Sequence, residues 1–404
     1  MKKKLTLKEF TLLISLYTSQ YIGFAFFAEA FIGILRQNKM PLENLGLIYM
    51  LGLFWVFRFL WAPFIDKIKF KIGHYKGWII IFQLLMVTTL LTIGQFSLIN
   101  NLQTIILLSV FFAFTAASQS IALDGLVYKN VFKKERSFAM SIKAASGLLG
   151  MVLGGGVGLV LYTHLGWEFT MTIVSITMLI ALIQIIFYKE SNQKKVQVTT
   201  ELNYKQFISF WKGRDKKQWL LLLFLYPATI SSAYGLITPM LVDLGWSLDK
   251  IGYAVHIIGY SIGVLASFST TWFIKRYGKK TVLVGASLGQ CFGMLLLLIL
   301  FHNNETISTI LIVGIIFSFY TPSSVIMTTL MMDKASKKTP AAQFAAQHSV
   351  YMLSGIIFAT LAVSFAGILG YTNIVLIGAF IGLLAAYVSY KIELEKEKLK
   401  NERN

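Results

Sequence analysis

Glu29 stands in an otherwise apolar setting, with Phe26, Phe27, Ala30, Phe31 and Gly33 around it and Arg36 seven residues further on. An ionisable side chain in such surroundings is costly unless it is paired or functional. It points to a group that takes up and releases protons, to a ligand for a cationic part of a solute, or to one half of an ion pair with Arg36, which shares its face on a regular helix. Asp124 and Lys143 form a second pair at similar depth in consecutive apolar runs, with Ser120 and Tyr128 one turn either side of the acid. A carboxylate facing an ammonium is either a charge pair that breaks during proton uptake or gating, or a static clamp. Arg58 is the single cation of its apolar run. Tyr253, His256 and Tyr260 recur at i, i+3 and i+7, and Gln343, Gln347 and Tyr351 at i, i+4 and i+8 beside His348. Aromatic and amide faces of this kind stack on and hydrogen-bond a ring-bearing or amide-rich solute. The alternative is packing, and a lone histidine is more often a packing residue than a proton relay.

The elements that must hold these residues are membrane helices. Of 404 residues 56% are hydrophobic and only 14% charged, a composition that excludes a soluble domain of this size. A bilayer crossing needs about 20 mostly apolar residues, and lipid forces every backbone polar group into a helix or a closed barrel. The ten-residue alternation of barrel strands is absent. The pattern predicts twelve helices over 8-36, 44-66, 75-98, 103-128, 137-162, 167-189, 217-240, 248-274, 280-301, 306-332, 341-366 and 371-392. Residues 1-10 lead straight into the first of them without a cleavage site, so it is expected to be a span and not a signal peptide.

The net charge of +19 could suggest nucleic acid, but the cations gather in alternate loops. These carry Lys67, Lys69, Lys71 and Lys76, then Lys129, Lys133, Lys134 and Arg136, then Lys275, Arg276, Lys279 and Lys280, then Lys334, Lys337 and Lys338. Basic loops mark the cytoplasmic side, so both termini are expected there and no nucleic-acid partner is expected. Four divisions follow: an N-terminal six-helix bundle over 1-190, a cytoplasmic linker over 191-216 with an interfacial helix at Tyr204 to Trp211, a C-terminal bundle over 217-392, and a cytoplasmic tail over 393-404. A repeat at a shift of about 205 residues supports the two halves. Pro41-Leu42-Glu43-Asn44-Leu45-Gly46 recurs as Ser247-Leu248-Asp249-Lys250-Ile251-Gly252, Phe112-Ala113-Phe114 as Phe317-Ser318-Phe319, and Leu165-Gly166-Trp167 as Leu369-Gly370-Tyr371. Gly150, Gly154 and Gly158, with Gly155 and Gly156, read as a close-packing seam.

Two six-helix halves in parallel repeat are the arrangement of major facilitator transporters, and the chain resembles that superfamily from end to end. Lys275-Arg276-Tyr277-Gly278-Lys279-Lys280 is similar to its gating-loop signature, and the first-half copy keeps Asp66-Lys67. By this resemblance Asp66, Lys67, Arg276, Gly278 and Lys279 are gating residues. Val56 to Pro63 with Asp66, Lys76-Gly77-Trp78 with Gln83, and Ala117-Ser118-Gln119 followed by Asp124 resemble the AmpG-like branch of muropeptide permeases and the sister RhtX/FptX-type siderophore permeases. Asp124-Gly125-Leu126-Val127 and Ile34-Leu35-Arg36-Gln37 are similar to the siderophore group.

The resemblance implies a secondary-active importer, proton-coupled, in the bacterial inner membrane, with a siderophore as first-choice substrate, a muropeptide second and export of a small molecule third. A membrane substrate sensor is the rival from another class, as is a membrane enzyme using Asp124 and His256. Solute, protons and the bilayer are the expected partners, and a monomer is expected. Neither a metal nor another cofactor is expected, because the nucleotide, zinc and hydrolase motifs do not occur. The residues expected to bind or couple are Glu29, Arg36, Arg58, Gln119, Asp124, Lys143, His256, Tyr260, Gln347, His348 and Tyr351.

Overall fold

The computed structural model describes residues 7-130, 136-190, 214-303, 305-334 and 340-392. The expected linker helix at Tyr204 to Trp211, the tail over 393-404 and the basic residues Lys133, Lys134, Lys337 and Lys338 lie outside the described residues. Every extended element among the described residues is helical, as the absence of water in a bilayer core requires.

Among the described residues, eleven runs are long and apolar enough to cross a membrane. One of them, Ala145–Phe187, has 43 residues, or about 65 Å at helical rise, twice what a bilayer needs. Gly166 divides it at φ 76° and ψ −175°, where the sequence predicts the turn between the fifth and sixth helices, and the count becomes twelve. Gly370 adopts φ 78° and ψ 155° between Pro340–Leu369 and Tyr371–Lys391. The two glycines are repeat equivalents. A Cβ is disfavoured at such positive φ, so both copies keep the one residue that turns a hairpin there. The entries to the second and eighth helices also match, with Pro41 at φ −57°, ψ 140° and Ser247 at φ −70°, ψ 149°.

The chain forms two compact units. The first holds residues 1-40, 51-198 and 245-257. In it the first helix packs on the fifth, and the third on the fourth and sixth, around a core containing Leu16, Tyr17, Ile79, Leu123, Ala181 and Ile185. The second unit holds residues 41-50, 199-244 and 258-404. It repeats the pairings as seventh on eleventh and ninth on tenth and twelfth, around Trp219, Tyr226, Leu283, Met327 and Met331.

Several helices depart from α winding. Phe26–Ala30, Val152–Val157 and Gly252–Gly259 are π-helical, and Leu47–Gly52 and Arg58–Leu60 are 3-10. Such segments recur at functional positions because they re-aim side chains and leave backbone groups less regularly bonded.

Candidate functional site

Glu29 lies in the first π segment, and its side chain is 2% exposed. Its Oε2 is 2.9 Å from Nδ1 of His256, which is equally buried and lies in the Gly252–Gly259 segment. Glu29 itself lies in the π segment, and α winding resumes at Phe31–Gln37, which carries Arg36. Arg36 Nη1 donates to the Met40 carbonyl at 2.8 Å.

The glycines of the fifth helix make the approach possible. A Cβ on Gly154 would strike the Ile22 carbonyl, and one on Gly155 would overlap the Glu29 carboxylate. On Gly156 it would lie 2.8 Å from Ile257 and 3.2 Å from the His256 Cβ. Three consecutive residues thus face three neighbours, which explains a glycine run and not a simple every-fourth seam. The expected seam is also present, with Gly150 and Gly158 set against Tyr21 and Phe26 of the first helix.

Tyr253, His256 and Tyr260 do not share a face, because that spacing assumes α winding and the segment is π-helical. Tyr253 is 50% exposed, whereas His256 and Tyr260 are buried. Tyr260 belongs to the second unit, where its hydroxyl is 2.6 Å from that of Tyr234 and its ring packs edge-on to Phe317. Tyr234 in turn stacks on Tyr320.

Asp124 is the centre of a second cluster in the first unit. Lys143 Nζ donates to both carboxylate oxygens at 2.6 and 2.8 Å, Arg58 Nη1 approaches Oδ2 at 3.3 Å, and the Tyr17 hydroxyl donates to Oδ1 at 3.1 Å. Arg58 Nη1 also donates to Ser120 Oγ at 2.7 Å, and the Lys143 ammonium sits 5.4 Å from the centre of the Tyr17 ring. The pairing with Lys143 was legible from depth; that of Tyr17 and Arg58 was not. Tyr128 carries no described side chain. Asp124, Lys143 and Arg58 keep 29, 21 and 34% of their side-chain surface exposed.

Gln119 and Gln347 both have their side-chain amides engaged by other groups of the protein. Gln119 is fully buried and donates to Gln83 Oε1, while Gln83 Nε2 reaches Ser19 Oγ at 3.2 Å and the Met178 carbonyl at 3.0 Å. Gln347 is also fully buried. It accepts from Trp219 Nε1 at 2.7 Å and donates to the Met331 and Gln343 carbonyls. Each amide therefore ties helices together inside its own unit. His348 stacks on Phe344, and Tyr351 is partly buried beside the second core.

At the loops, Asp66 accepts from the Tyr75 hydroxyl at 3.0 Å, which links the second helix to the start of the third. Lys76 anchors that start to the end of the sixth: its Nζ donates to the Ile186 and Tyr188 carbonyls at 2.8 Å, and its amide donates to Glu190 at 3.0 Å. Lysine at a helix C-terminus satisfies carbonyls that lack intrahelical donors. In the second unit Gly278, at φ 84°, ends one helix and starts the next, and Lys279 pairs with Asp333 of the tenth helix. Lys67 and Arg276 are exposed. Asp333 drew no attention in the sequence because it sits among the charges of a basic loop.

The transporter AmpG 3 of Rickettsia typhi is 25% identical over 355 residues, covering 81% of this chain and 82% of its own. The anhydromuropeptide permease of Escherichia coli K12 is 26% identical over 236 residues, 57% of this chain and 47% of that one. Among solved structures, a D-xylose-proton symporter superposes with a TM-score of 0.73 at 13% identity, over 96% of this chain and 98% of its own. The nucleoside transporter NupG does so at 0.69 and 14% identity, over 94 and 98%. These two share the fold. The Major Facilitator Superfamily pattern matches residues 10–359, and with a multi-pass fold that is helical in its described residues and shared with solved transporters, the chain belongs to the Major Facilitator Superfamily of membrane transporters.

Proposed function

We propose that the chain is a proton-coupled importer of a sugar-peptide of the anhydromuropeptide kind. The observation that carries this reading is the likeness to an AmpG transporter over about four-fifths of both chains, which favours the muropeptide expectation over the siderophore one. The motif Asp124-Gly125-Leu126-Val127, which suggested a siderophore, has its acid engaged by Lys143, Arg58 and Tyr17, a role independent of iron chemistry.

In this reading residues 1-190 and 217-392 are the two halves of an alternating-access transporter. Both termini lie in the cytoplasm of a bacterial cell, and the protein works as a monomer in the inner membrane. Glu29 and His256 handle the coupling proton. A proton can bias the outward and inward states only by binding one more tightly than the other. A carboxylate and an imidazole 2.9 Å apart, both buried, are two groups of the kind that can carry such a proton. Asp66 and Lys279 steady the loops through Tyr75 and Asp333.

The test is uptake by purified protein in proteoliposomes with an inward proton gradient. Labelled anhydromuropeptide should accumulate and a ferric siderophore should not. Accumulation of the siderophore alone would reverse the substrate assignment, and saturation at about one solute per protein would mark a sensor instead of a transporter.

A further inference from the structure

The Asp124 cluster is unbalanced. Arg58 and Lys143 bring two cations to a single carboxylate, and among the described residues neither has an ion pair with any other acid. A surplus positive charge within membrane-spanning helices is costly and marks a functional position by default. The carboxylate is held by three different donors: an ammonium on both oxygens, a guanidinium, and a phenol. Arg58 uses only Nη1 among the described residues, for Ser120 and Asp124. Its remaining N–H groups are of the planar, forked kind that receives an anionic oxygen pair, and a third of the side chain is exposed.

We propose that Arg58 and Lys143 form the docking point for an anionic oxygen group of the transported solute, a carboxylate in the first instance, with Asp124 as the internal group that holds the two cations in place. The inference rests on the sugar-peptide reading only for the identity of the solute, whose peptide supplies the carboxylate. The incoming anion meets the open side of the guanidinium and brings the cluster to zero net charge. Arg58→Gln leaves Asp124 paired with Lys143, so this variant strands no charge.

The full-length protein is titrated with an anhydro sugar-tripeptide and with the same molecule carrying carboxamides in place of its carboxylates. Charge-assisted hydrogen bonds predict that the acid binds about tenfold to a hundredfold more tightly. In Arg58→Gln the ratio should fall below about threefold, and Arg58→Lys should restore part of it. A structural clamp would weaken both forms alike, so equal losses, or an acid preference that survives Arg58→Gln, overturns the assignment. In a second arm, citrate and inorganic phosphate are added to ligand-free protein. They should raise the thermal midpoint of the wild type but not of Arg58→Gln or Lys143→Met, and no rise in the wild type overturns the docking point. If the wild type binds neither sugar-peptide but responds to the anions, the solute reading fails and the docking point stands.

Discussion

Replacing Glu29 by glutamine separates proton handling from structural support. The carboxylate lies 2.9 Å from His256 Nδ1 with both side chains 2% exposed, so removing it takes a polar partner from a buried imidazole. Outright removal of that partner, as in Glu29→Ala, is expected to cost about 1 to 3 kcal/mol. Glutamine keeps the length and an oxygen acceptor, so Glu29→Gln should lose only about 1 kcal/mol of stability. It also abolishes titration at that position. In proteoliposomes, one proton per solute sustains roughly tenfold accumulation for each unit of imposed pH difference. Glu29→Gln should show none, yet should still exchange labelled solute between two loaded compartments. A variant that accumulates solute as steeply as the wild type would falsify the coupling role. Glu29 would then be only a structural partner of His256, and the search for the proton site would move to Asp124.

Gly155→Ala places a Cβ on the Glu29 carboxylate and should abolish transport, whereas Gly285→Ala, exposed on a helix with nothing within 4 Å, should gain about 0.5 to 1 kcal/mol with unchanged uptake. Trp219→Phe removes the donor to the buried Gln347 oxygen and should cost about 1 to 3 kcal/mol, read as a lower thermal midpoint without a change in substrate preference. Asp66→Asn should slow transport more than it weakens binding; equal losses in rate and affinity would place Asp66 in the binding site instead. In a Cys291→Ala background, single cysteines at Lys71 and Lys275 should be labelled only from the cytoplasm and those at Asn100 and Asn303 only from outside, and labelling of all four from one side would refute the orientation.

Helix number and hairpin position were legible because bilayer thickness fixes span length and because a turn glycine leaves a gap in an apolar run, as at Gly166 and Gly370. The pairing of Asp124 with Lys143 was legible because both sit at comparable depth in adjacent spans. Partners brought together over long separations were not. Glu29 and His256 are 227 residues apart, and each lies in a π turn that spoils the periodicity on which face assignments depend. The sequence offered an indirect signal in Gly154-Gly155-Gly156, since three adjacent small residues imply that something comes close on several sides at once. Gln119 and Gln347 illustrate a second kind of ambiguity. A polar side chain in an apolar helix reads as a solute ligand, although a buried amide can equally spend its hydrogen bonds on the neighbouring helices.

The repeat equivalents Pro41 and Ser247 open their helices with matching backbone angles, after which the copies part: Leu47–Gly52 winds tightly as a 3-10 helix, and Gly252–Gly259 winds loosely as a π-helix. Six residues at about 2.0 Å each climb roughly 3 Å farther than six at 1.5 Å, and a π turn climbs less again. Beyond Gly46 and Gly252, alignment of the two halves therefore ceases to be a map of location. Letters that pair in the alignment sit at unequal heights and on different bearings. A role established for a residue in one half cannot be carried to its partner in the other by counting, and matched substitutions made in both copies would be two distinct experiments.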